Sequence, residues 1–239
     1  MKKLISINFN NKNSYKDLEL VVIGTITRPS TNGNYETITV PGRRGSLNIF
    51  QNYNDNEITV NFGFKNIENL TLKKSKILEW LNSKKSTYLV ISDDESIFYN
   101  VNKISVSGFD GNNIKSFKCT FTIDPFTFFK EGNEIKEIYS TTVVYYGKAN
   151  QESEPYIKIY GNGDITIKIN NQNLILKNVD GYIEVDSQLK NCFKNVNGVI
   201  VNYNNQMYSP FPILEVGENN ISWTGAVTKI EIIPRWCCQ

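Results

Sequence analysis

The chain has 239 residues, and its 26 Lys and Arg against 24 Asp and Glu leave a net charge of only +2. A chain of this length forms one large β domain or two ordinary ones and buries roughly 70 % of its unfolded surface, so neither disulfides nor a metal is needed to hold a core. The balanced charge does not mark a nucleic-acid partner, and the absence of histidine removes every Ser-His or Cys-His nucleophile pair along with the zinc signatures.

In chain order, Met1-Lys2-Lys3 is followed by an alternation broken by Ser6 and Asn8. It lacks the apolar run of a signal peptide, and no later stretch approaches the ~20 apolar residues that span a bilayer, so synthesis in the cytoplasm without export is expected. Short alternating runs rich in Ile, Val, Thr, Tyr and Phe predict strands over 4–9, 18–26, 35–40, 57–64, 88–92 and 116–123. One segment, 69–83, departs from that period. Leu70, Ile77 and Leu81 form a helical stripe flanked by Trp80 and Leu78, with Asn69 or Thr71 to cap its start and Lys84 and Lys85 to suit its negative end. Lys74 falls on the apolar stripe, so its stem should lie along the core edge with the ammonium reaching out.

After Asp124-Pro125-Phe126-Thr127-Phe128-Phe129 comes a charged stretch over 130–136 before strand-like residues resume near Ile138. The domain boundary is placed there, giving a β domain with one helix over residues 1–135 and a β-sandwich over residues 136–239. In the second part Ile165, Ile167 and Ile169 alternate with Thr166, Lys168 and Asn170, one buried face against one wet face. Turn pairs at Asn162-Gly163, Asp180-Gly181 and Asn197-Gly198 separate such runs.

Few clusters offer chemistry. Gly42-Arg43-Arg44-Gly45 lacks the spacing and the terminal Lys-Ser/Thr of a phosphate loop and reads as a hairpin turn displaying two arginines. Arg43 and Arg44 are therefore candidate inter-subunit contacts, because arginine is enriched at interfaces. Asp93-Asp94-Glu95 reads as a solvated turn, without the residues of a calcium loop. Phe126, Phe128, Phe129, Tyr145 and Tyr146 read as core or interface anchors. Cys119, Cys192, Cys237 and Cys238 read as free thiols, since the adjacent pair points to opposite faces of a strand. No catalytic, cofactor-binding or metal-binding residue is assigned, and no cofactor is expected.

Three stretches together resemble the distal tail proteins (Dit) of siphophages that infect Gram-positive bacteria. They are Thr39-Val40-Pro41-Gly42-Arg43-Arg44-Gly45-Ser46-Leu47, then Ile123-Asp124-Pro125-Phe126, then Gly217 to Gly225 with Ile230-Glu231-Ile232-Ile233-Pro234-Arg235-Trp236. Their order and spacing cover nearly the whole chain. The resemblance implies a mainly β protein, with a split-barrel-like N-terminal domain bearing one helix and a galectin-like C-terminal sandwich. It also implies a homo-hexameric ring at the virion tail tip. That ring would join the tail tube protein and the tape-measure protein to the tail-associated tip protein that carries the receptor-binding parts, with no membrane partner and no recognition of nucleic-acid sequence.

Galectins bind sugar through a set of residues that includes histidine, and this chain has none, so a similar sandwich does not bring a lectin site with it. The alternatives to a structural ring are a tail protein that binds host cell-wall carbohydrate and a β-sandwich glycosidase. The second requires two carboxylates facing each other across a cleft. A non-enzymatic connector is the expected reading.

Overall fold

The computed structural model describes residues 4–83, 87–109 and 115–239, which divide into two compact units, Met1–Thr127 together with Gln239, and Phe128–Cys238. The division falls a few residues before the sequence-based boundary at 135/136. The charged stretch folds as part of the second unit: Lys130–Asn133 forms a 3-10 turn whose Gly132 is buried and whose carbonyl accepts the Arg235 amide at 2.6 Å. A Cβ on Gly132 would stand 2.4 Å from the Trp236 nitrogen, so only glycine admits this approach.

The first unit contains β1 (Ile7–Phe9), β2 (Lys12–Asn13), β3 (Leu20–Ile23), β4 (Gly33–Ile38), β5 (Leu47–Tyr53), β6 (Asn56–Phe64), α1 (Leu70–Asn82), β7 (Tyr88–Ile91), β8 (Ile97–Ser107) and β9 (Ser116–Ile123). Seven of the strands run antiparallel in the order β2-β1-β7-β8-β9-β6-β3, while β4 and β5 form a separate two-stranded sheet. Alternation sets the faces. Ile58, Val60 and Phe62 of β6 and Phe117, Cys119, Phe121 and Ile123 of β9 point inward, where α1 covers them with Ile77, Trp80 and Leu81.

Trp80 fixes the helix on the sheet. Its ring meets Phe9 and Phe62 edge-on, its indole N–H donates to the Phe9 carbonyl at 2.6 Å, and the Asn10 side-chain amide donates back to the Trp80 carbonyl at 2.8 Å. The helical stripe is therefore present but turned from its expected centre: Trp80 is buried and Leu78 is exposed. Asn69 occupies the N-cap position in a left-handed conformation (φ 52°) and makes no capping bond through its side chain, contrary to the capping expected from sequence. That backbone geometry differs from the extended N-cap that aims a side chain at the first turn. Lys74 reaches over the Phe109 ring at 5.7 Å, as a snorkelling lysine should. Lys84 and Lys85 lie outside the described residues.

β10 (Thr127–Phe129) leads into the second unit, which continues with β11 (Lys136–Ile138), β12 (Thr142–Tyr145), β13 (Tyr156–Ile169), β14 (Gln172–Val179), β15 (Tyr182–Asp186), β16 (Asn191–Val196), β17 (Val199–Asn202), β18 (Glu218–Ile233) and β19 (Cys237–Cys238). The sheet order is β11-β18-β13-β15-β16-β17, with β12 also on β18 and β14 also on β13. The long strand β13 pairs with β15 up to Tyr160 and with β14 from Gly163 onward, while β18 follows it along both halves. The register shifts where that change occurs. Gly161 and Gly225 (φ 99°) permit it, because a Cβ on either would come within 2.4 Å of a carbonyl oxygen on the partner strand. Ile165, Ile167 and Ile169 point into the core, as the alternation predicted, and Ile157 and Ile159 of the same strand do so as well.

Candidate functional site

The β4–β5 hairpin stands apart from the packed sheet, and the sequence alone did not reveal why. Its ladder pairs Tyr35 with Phe50, Glu36 with Ile49, Thr37 with Asn48 and Ile38 with Leu47, and no other strand among the described residues hydrogen-bonds to it. Tyr35 is 57 % exposed and Phe50 46 %, and Ile38, Val40, Leu47 and Ile49 are exposed as well. An isolated two-stranded hairpin is marginally stable in water, and a cluster of exposed apolar side chains marks a contact surface.

Arg43 and Arg44 sit at the tip of this arm. The Arg43 amide closes the turn on the Val40 carbonyl at 3.1 Å, and Gly42 and Gly45 take positive φ on either side. Both arginines are exposed, and neither belongs to an ion pair among the described residues. The turn predicted for 41–45 is thus placed as expected, with both guanidinium groups free to meet another surface.

The root of the arm is anchored by Phe126, one of the aromatic anchors expected from sequence, and by neighbours whose role the sequence did not mark. Tyr35, Phe50, Tyr53 and Phe126 form a chain of edge-on ring contacts with centroids 5.6, 5.0 and 4.9 Å apart. The Pro125 carbonyl accepts the Thr31 hydroxyl at 2.6 Å and the Asn56 side-chain amide at 3.1 Å, one from each flank of the hairpin. Asp124 is itself held by the side-chain amides of Asn100 and Asn102 at 3.0 and 2.9 Å. The segment 123–126 and the segment 39–47, separate in sequence, are therefore the base and the tip of one structural arm.

The family described as the phage tail protein RIFT-related domain matches residues 6–123. The match covers most of the first unit. Two solved structures share the fold of the whole chain. The Dit protein of phage SPP1 is described as a paradigm of the hub adsorption apparatus in phages infecting Gram-positive bacteria. It aligns with a TM-score of 0.65 at 11 % identity, over 96 % of this chain and 98 % of its own. A chain of the phage p2 baseplate, in its activated conformation with Sr, aligns with a TM-score of 0.50 at 12 % identity over 96 % of each chain. No curated protein matches the sequence. The resemblance to distal tail proteins is borne out in the match over residues 6–123 and in the fold, which is mainly β with a single α-helix among the described residues.

The remaining candidates resolve into structural roles. Asp93 pairs with Arg28 at 2.7 Å, and Asp94 accepts the amide and hydroxyl of Ser96, which is the turn expected of that acidic run. Phe129 meets Tyr146 edge-on at 5.0 Å, Tyr146 stacks near Trp236, and Tyr145 is exposed. In the second unit, Glu184 accepts the Tyr156 hydroxyl at 2.8 Å and lies 3.6 Å from Lys158, while Glu231 accepts the Tyr160 hydroxyl at 3.2 Å and Lys229 at 2.6 Å. These carboxylates lie in a cross-strand ladder with their charges met by neighbours. Burial pushes the Cys119 thiol up to about 12, Cys192 to about 11 and Cys237 to about 12. Among the described residues no helix is long and apolar enough to cross a membrane.

Proposed function

We propose that this chain is a structural ring subunit at the tip of a phage tail. In this reading six copies close a ring through their N-terminal units. The ring then links the tail tube and tape-measure proteins to the tip protein bearing the receptor-binding parts. The observation that carries the reading is the β4–β5 arm, an apolar two-stranded hairpin with two unpaired arginines at its tip. Such an arm is a poor ornament on a monomer and a good hook for a neighbour. A head-to-tail contact between different patches is the kind that closes rings. The likeness of the whole chain to a protein described as part of an adsorption hub supports the same reading.

The chain acts here as a connector and not as an enzyme, with no cofactor. Host-wall carbohydrate binding is the other reading, and its best location is a polar groove lined by Lys168, Asn170, Glu215, Glu218, Asn220 and Ser222. That groove has no aromatic ring on which a sugar could stack. A glycan array separates the two readings, because a connector gives no saccharide signal.

Charge reversal of both arginines tests the arm. Exposed ion pairs contribute about 0 to 1 kcal/mol each, so the Arg43→Glu, Arg44→Glu double variant is expected to loosen the ring, and to do so more at low salt. Microscopy of rings across a salt series reads the effect. Rings of unchanged stability would remove the two arginines from the interface.

A further inference from the structure

β17 ends the sheet order of the second unit, so one of its edges faces no other strand among the described residues. Asn197 (φ 53°) and Gly198 (φ 86°) form the two-residue turn that joins it to β16. In such a hairpin Val196 and Val199 exchange hydrogen bonds, as do Lys194 and Val201, and the Tyr203 amide on the Cys192 carbonyl at 2.7 Å keeps the same phase. The intervening pairs, Asn195 with Ile200 and Phe193 with Asn202, turn their backbone groups out of the hairpin. On the β16 side the outward groups are met: the Asn195 amide donates to Glu184 Oε1 at 3.4 Å and its carbonyl accepts the Tyr182 hydroxyl at 2.8 Å. On the β17 side the amide and carbonyl groups of Ile200 and Asn202 face the uncovered edge.

The side chains do nothing to guard that edge. Val199 is 63 % exposed and Ile200 62 %, on opposite faces, and Val196 and Val201 are exposed beside them. Residues 196–202 contain no charge and no proline, the usual means of blunting an edge strand. At the other end of the sheet, β11 carries exposed Lys136 and Glu137.

We propose that β17 receives an added strand from another tail component, an extended and uncharged segment with apolar side chains over Val199, Ile200 and Val201. This rests on the tail reading above. A second copy of the chain does not suit the site. Four residues span only about 13 Å at ~3.3 Å each. Self-pairing over that length covers far less than the roughly 1,200 Å² of a stable interface. A strand that belongs to a component already anchored elsewhere in the tail needs no such area, and the neutral edge selects it by backbone pairing and apolar contact.

Hydrogen exchange, compared between the free protein and purified tail particles containing it, tests the proposal. Residues 196–203 are expected to exchange about tenfold or more slowly in the particles, as are residues 33–53 of the arm. Ile200→Pro removes only the outward amide, a change edge strands tolerate. Its melting curve should match the wild type, while tails built with it lose the partner component that Ile200→Val tails retain. Unchanged exchange at 196–203 with protection at 33–53 overturns the added strand and leaves the tail reading standing. Protection at neither overturns both, and Ile200→Pro tails of full composition overturn backbone pairing.

Discussion

Arg235 shows how much one residue can hold without announcing itself. In the sequence it is one letter between Pro234 and Trp236. In the structure it takes a left-handed φ of 56° and grips Asp186 with two bonds of 2.7 and 2.8 Å, both partners largely buried. Burial pushes the Asp186 carboxyl up, but the Arg235 guanidinium and the amides of Leu189 and Gln188 outweigh it and hold the group below its ordinary value. A carboxylate lowered in the folded state stabilises the fold above its unfolded pKa of about 3.9 and loses that contribution as pH falls through the folded value. Asp186→Asn is therefore expected to flatten the acid limb of a thermal-melt series. Arg235→Ala should cost about 3–5 kcal/mol at neutral pH, because it strands a buried charge. The thiols offer a second check at this scale. With Cys119, Cys192 and Cys237 buried, a thiol reagent on the native protein should modify Cys238 alone, and peptide mapping reads the site.

Among the elements, the helix and the turn of the arm were both legible, though for different reasons. A 3.6-residue stripe in an otherwise alternating chain marks a helix by itself, and the structure places it at Leu70–Asn82. Which side faces inward was less clear, because Leu78 and Trp80 flank the stripe symmetrically and only the Phe9 carbonyl, over 70 positions away, chooses the indole. Trp80→Ala should cost about 3–5 kcal/mol, since it opens a cavity against Phe9 and Phe62, and denaturant unfolding measures it. The arm's turn was legible from Pro41, Gly42 and Gly45. Its separation from the core was not, since Tyr35, Ile38, Ile49 and Phe50 have the composition of a buried strand. Replacing residues 36–49 with a short Asn-Gly turn is expected to leave the melting midpoint nearly unchanged, because none of the excised side chains belongs to the buried core. The same excision should abolish oligomer formation.

For the whole molecule, the alternation and turn spacing were enough to give a mainly β chain in two parts, while the strand order was beyond them. β13 and β18 each run through two halves of the second unit, and the glycines that allow it, Gly161 and Gly225, look in sequence like ordinary turn residues. In the proposed assembly, copies of this chain close a ring through the β4–β5 arm. The most direct measurement is the mass of the purified chain in solution, taken beside that of Ile49→Asp, which places a charge on the exposed apolar surface in the middle of the arm. The expected result is a particle of six chains of 27.4 kDa for the wild type and single folded chains for the variant. A wild type that stays a single chain at every concentration, or a six-chain particle that Ile49→Asp leaves intact, would contradict ring closure through the arm.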